Sequence, residues 1–175
     1  AADPAGLDAT LDAVWDRLGF AAPWIAQRER EEARVAIGRF ATWHAEQEAA
    51  GVRRPLAAEH GFSVTFGVGD DEVTLRGSMD RVEVDAAGLV HVVDFKTGKR
   101  APSGSEITEH AQLGVYQVAV EQGAADELVG RRARSGGAEL VQLRVADSAK
   151  QPDRPKVQPQ DGPGEQPFFA YAALS

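Results

Sequence analysis

Two adjacent period-two runs in the middle of the chain leave it little choice of fold. From Leu75 to Asp85 apolar and polar residues alternate, and from Leu89 to Thr97 valine dominates. Asp85-Ala86-Ala87-Gly88 between them has turn composition. That pattern specifies a β-hairpin. On the second strand a repeat of two puts Asp94 and Lys96 on one face with Val90 and Val92. Pairing Val84 with Leu89 sets Asp80 opposite Val93, whereas a one-residue bulge near the turn sets it opposite Asp94. In either register two carboxylates and an ammonium converge at one end of the sheet.

Paired carboxylates repel, and one of them takes up a proton unless a cation intervenes. A hard divalent ion, Mg²⁺ or Mn²⁺, removes the conflict by accepting carboxylate, carbonyl and water oxygens. Such an ion acidifies bound water and stabilises charge on a phosphate during in-line displacement. Lys96 would then orient the nucleophile or neutralise the scissile phosphate. The competing reading makes Asp80–Arg81 and Asp94–Lys96 ion pairs on a solvated sheet face, since charged cross-strand pairs are common.

The surrounding residues favour the first reading. Gly77-x-x-Asp80-Arg81, Val93-Asp94-Phe95-Lys96-Thr97-Gly98-Lys99 and Gln112-Leu113-x-x-Tyr116 follow one another at short spacing. In order and spacing they resemble G-x-x-D-R, h-D-[YF]-K-T-G and Q-L-x-x-Y (h apolar), the motifs of the RecB-like branch of the PD-(D/E)xK nucleases. The resemblance covers residues 59–145 most closely. Its flanks look like the nuclease end of bacterial helicase–nucleases of the AdnAB or AddAB kind. It implies a metal-dependent deoxyribonuclease of exonuclease type acting in DNA double-strand-break repair. Asp80 and Asp94 would bind Mg²⁺ or Mn²⁺, and Lys96 would be catalytic. Gln112, Tyr116 and Arg81 would position DNA. Glu59 is either a third carboxylate near the metal or a strand-end surface charge. The implied partners are DNA, the remainder of a helicase–nuclease polypeptide and a second subunit.

Two departures from that pattern matter. The family's metal-ligating His upstream of the first Asp has no convincing counterpart: His44 lies in a long amphipathic helix and His60 immediately precedes the strand feeding the site. A chain that begins downstream of that motif accounts for the gap, and the isolated chain is then expected to need upstream sequence for activity. Several relatives hold an iron–sulfur cluster on four Cys. This chain has no Cys, which excludes that cluster along with disulfides and thiolate metal sites.

The 175 residues suit one domain with a proper core, no apolar run approaches membrane-spanning length, and no signal-peptide pattern opens the chain. A cytoplasmic setting fits this composition. The only Met is Met79, so Ala1 reads as the start of an excised fragment. A formal charge of −8 argues against a free-standing, tight nucleic-acid binder. Around the motifs the balance is more basic, with Arg76, Arg81, Lys96, Lys99 and Arg100 close together. Lys96-Thr97-Gly98-Lys99 is no phosphate loop: position 93 is Val where glycine is needed, and Arg100 replaces Ser/Thr.

The expected architecture is α/β, a central mixed sheet flanked by helices with a restriction-endonuclease-like core. Helices are predicted at 7–18 and about 24–50, forming a cap over residues 1–50, with Trp24 and Trp43 packed inside. Strands are predicted at 62–68, 73–84, 89–96 and 140–146. One helix should run from the capping box Ser103/Glu106 to Gln122, projecting Gln112 and Tyr116 together. The Pro-rich residues 147–167 are expected to be a mobile loop, and Phe168 to Leu174 to pack as a terminal turn. Two rival functions remain: a non-catalytic nuclease-like scaffold that binds DNA or a partner subunit, and a stand-alone restriction-type endonuclease.

Overall fold

The computed structural model of the protein describes residues 4–15 and 17–161. In chain order the elements are α1 (Pro4–Trp15), α2 (Pro23–Ala50), β1 (Arg53–Val68), β2 (Asp71–Asp85), β3 (Val90–Lys96), α3 (Gly104–Thr108), α4 (Ala111–Glu121), α5 (Asp126–Val129), β4 (Ser135–Ser148) and β5 (Gln151–Asp161). The strands form one five-stranded mixed sheet in the order β1-β2-β3-β4-β5. Antiparallel pairing joins β1 to β2 and β2 to β3. The helices α3 to α5 occupy the β3–β4 connection, which has the length a crossover needs. This is the α/β mixed-sheet architecture the sequence predicts.

Contacts divide the chain into two units. Among the described residues, one comprises those up to Gly51 with Lys96–Ala101 and Gln142–Val157, the other Val52–Phe95, Pro102–Val141 and residues 158–161. In the first, Pro23 opens α2, and Gly51 closes it in the left-handed region (φ 59°), its N–H donating to the Gln47 carbonyl at 3.1 Å. Arg28 and Glu32 pair one turn apart at 3.0 Å. Trp43 is buried as expected, 2% exposed, but Trp24 is 66% exposed. The helical repeat turns Trp24 about 100° away from Trp43, so one buried stripe cannot take both.

The second unit holds the main core. Val82, Val90 and Val92 from the hairpin meet Leu113, Tyr116, Ala119 and Val120 of α4, with Leu140 of β4. The hairpin register pairs Arg81 with Val93, Val82 with Val92, Glu83 with His91 and Val84 with Val90, which is the shifted alternative of the two. The turn explains the shift. Ala86-Ala87-Gly88 is a three-residue loop with Gly88 left-handed (φ 80°), its N–H donating to the Asp85 carbonyl at 3.0 Å.

Several predicted elements differ: β1 begins at Arg53 rather than 62, which puts Glu59 and His60 inside the strand instead of before it, and β4 begins at Ser135 rather than 140. The single helix over 103–122 begins with the expected capping box, Glu106 N–H donating to Ser103 Oγ and Ser103 N–H to Glu106 Oε2. It breaks at Glu109–His110 and restarts as α4. The loop expected over 147–167 is instead strand through residues 151–161. β5 is the edge strand, the place in a sheet where residues without an N–H, here Pro152, Pro155 and Pro159, are best tolerated. The terminal turn expected at 168–174 lies outside the described residues.

Candidate active site

The β2–β3 ladder ends at Arg81 and Val93, and one more step of the same register places Asp80 opposite Asp94. There a side chain takes over from the ladder: Asp80 Oδ2 accepts the Phe95 backbone N–H at 2.8 Å. Asp94, 2% exposed, accepts at Oδ1 from the Tyr116 hydroxyl at 3.1 Å. Lys96 ends β3, half-buried and in period-two phase with Asp94.

Gln112 and Tyr116, one turn apart on α4, form a relay that ends on that carboxylate. Gln112 Nε2 donates to Tyr116 Oη at 2.9 Å, and Tyr116 Oη lies 3.1 Å from both Asp94 Oδ1 and the Ser78 carbonyl. Burial, reinforced by the Asp94 carboxylate, pushes the Tyr116 phenol up to about 12, so it stays a protonated donor. A donor fixed at both ends holds Asp94 in one rotamer.

The glycine of the first motif now has a packing reason. Gly77 pairs with Phe62 across β1–β2, and a Cβ at Gly77 would stand 3.1 Å from Phe62 Cε1 and Cζ. The ring lies over the bare backbone and meets Tyr116 edge-on, centroids 6.4 Å apart. Gly77→Val is expected to push Phe62 off Tyr116. By overpacking it should cost about 1–3 kcal/mol, read as a lowered urea midpoint. An unchanged midpoint would show that the ring moves freely.

Glu59 stands between Ala58, paired with Arg81, and His60, paired with Met79, and so flanks Asp80 along β1. It is exposed and adopts positive φ (49°), alone in this among the described non-glycine residues. Left-handed backbone is strained for a residue with a Cβ and collects at functional sites. Among the described residues no three His, Asp or Glu side chains converge to hold a cation. The structure therefore brings together Asp80 and Asp94, with Glu59 adjacent in register only. An all-oxygen donor set with two carboxylates suits Mg²⁺ or Mn²⁺, which keep much of their shell as water.

Arg81 turns inward: its Nε donates to Glu83 Oε1 at 2.7 Å. Glu83, 1% exposed, belongs to a buried charge cluster in which Arg53 Nη1 lies 3.3 Å from Glu139 and 3.9 Å from Glu83 Oε2. His91 bonds Asp85 at 3.0 Å. Although burial opposes it, the bonds from His91 and from the Leu89 N–H hold the Asp85 carboxyl below its usual range. Burial raises the Glu139 carboxyl despite Arg53. A raised carboxyl contributes stability below the ordinary value of 4.5 that is lost as pH rises through the folded value. Glu139→Gln should therefore gain stability relative to the wild type as pH rises from 4.5 to 7, measured as a difference in urea midpoints. A pH-independent difference would contradict the assignment.

Neither Phe62 nor the Ser78 carbonyl was marked by sequence motifs, because packing and backbone contacts leave no residue-type signature. Residues 1–173 match the PD-(D/E)XK nuclease superfamily. No functionally curated protein matches the chain. A solved protein described as "Crystal structure of SSO0001" is similar at 13% identity and TM-score 0.41, covering 94% of this chain and 67% of the other.

Proposed function

Because the chain belongs to the PD-(D/E)XK nuclease superfamily, we propose that it hydrolyses DNA phosphodiesters as a RecB-like nuclease module. In this reading it is joined to a helicase–nuclease polypeptide, works with a second subunit in double-strand-break repair, and is cytoplasmic. The observation that carries the proposal is the buried Asp94, in register with Asp80 and fixed by the Gln112–Tyr116 relay. Mg²⁺ or Mn²⁺ would be held by Asp80 and Asp94, with Glu59 as a candidate third carboxylate. Such an ion supplies an acidified water and charge stabilisation at the phosphate.

The chain's own residues do the rest. The Phe95 N–H and the Tyr116 hydroxyl fix the two carboxylates. The Lys96 ammonium neutralises charge building on the phosphate and orients the attacking water. Gln112 and Tyr116 act on DNA through Asp94, and Arg81 braces β2 through Glu83. The scaffold reading draws on the meeting of only two carboxylates at the site among the described residues.

End-labelled single-stranded DNA incubated with Mg²⁺ or Mn²⁺ decides between them. Release of labelled product, dependent on the ion, is expected. If the chain is silent, the assay is repeated with the protein's natural upstream sequence restored, and continued silence sinks the nuclease reading in favour of the scaffold.

A further inference from the structure

At the break between α3 and α4 one side chain from far along the chain reaches backbone carbonyls on both sides, adding to the backbone bonds that His110 N–H makes to Ile107 and Gly114 N–H makes to His110. Gln160 of β5, 3% exposed, donates from Nε2 towards the carbonyls of Ile107 at 2.8 Å, Thr108 at 3.2 Å and His110 at 3.4 Å. Its Oε1 accepts from Nε2 of Gln117, a fully buried residue of α4, at 2.8 Å. Two residues earlier on β5, Gln158 donates to the Pro102 carbonyl at 2.7 Å. The period of two puts both glutamines on one face of the strand. One amide thus bridges the end of α3 and the middle of α4, the two segments whose relative angle aims Gln112 and Tyr116 at Asp94.

We infer that Gln160 is a positioning residue for the site: by stapling α3 to α4 it sets the helix that carries the Gln112–Tyr116 relay. This rests on the nuclease reading only for its catalytic consequence. A buried amide that bonds both segments at once favours one geometry, whereas an apolar isostere removes the donor shared by the three carbonyls and the oxygen that accepts from Gln117 Nε2.

Gln160→Met keeps the volume and removes the amide. Its first readout needs no activity. Amide hydrogen exchange should accelerate about tenfold or more across residues 107–117, with the β1–β2 amides unchanged. Unchanged exchange at 107–117, or acceleration everywhere, overturns the inference. The second readout is kinetic: kcat on DNA should fall about tenfold with KM nearly constant, as for a group displaced within a formed site. Combined with Tyr116→Phe the losses should be non-additive, because both act through Asp94; additive losses overturn the inference. A wild type inactive with every divalent ion would remove the nuclease reading and leave the exchange experiment to decide on Gln160 alone.

Discussion

Asp94→Ala is expected to reduce DNA hydrolysis about 10³-fold or more, because no neighbouring carboxylate can take the place of a buried one locked to Tyr116. Without divalent ions the variant should melt no lower than the wild type, since a desolvated charge is removed along with the hydrogen bond from Tyr116. With Mg²⁺ or Mn²⁺ the wild type should gain in melting temperature and the variant should not. Lys96→Ala separates the two parts of the site: its rate should fall comparably while the ion-dependent gain persists. Calorimetry with and without the ion, beside single-turnover kinetics, reads both. Full activity in Asp94→Ala would show that the carboxylate pair is not the reaction centre.

The largest expected loss of stability is elsewhere in the same unit. Arg53→Met leaves Glu83 and Glu139 buried, 1% and 7% exposed, with their shared cation gone. Breaking a buried ion pair from one side costs about 3–5 kcal/mol, because the uncompensated charge stays desolvated. Arg81 retains its bond to Glu83, so Glu139 is the more exposed to the loss of its partner. Adding Glu139→Gln to Arg53→Met should recover much of the deficit. A urea series on the three variants measures the coupling, and a double variant as weak as Arg53→Met would show that Glu139 is not the stranded charge.

What the sequence disclosed and what it concealed divide along physical lines. Alternation, a Gly-containing turn and a capping box are local codes, and the hairpin, β1 from Phe62 on and the start of α3 follow them. The register hung on one bond at the turn, the Gly88 N–H on Asp85, which composition alone leaves open. The spacing of Gln112 and Tyr116 correctly put them on one helix face, but not that their relay ends on Asp94. The motif resemblance assigns Arg81 to DNA positioning, and no sequence signal showed that its Nε bonds Glu83, two residues along the same strand. β5 was hidden most completely. Its burial inverts the usual code, with Gln158 and Gln160 inside and Val157 and Pro159 outside, so polarity argued for a linker where tertiary hydrogen bonds make a strand.

The prolines of β5 also govern self-association. A sheet's last strand normally offers a row of donors and acceptors on which another chain can grow. Pro152, Pro155 and Pro159 leave β5 with three fewer N–H groups to share between its two sides, so this border of the sheet is a poorer template for intermolecular ladders. The opposite border, β1, carries Pro55 alone across its sixteen residues. Among the described strands, β1 therefore offers an added strand fewer interruptions than the border that carries Gln160.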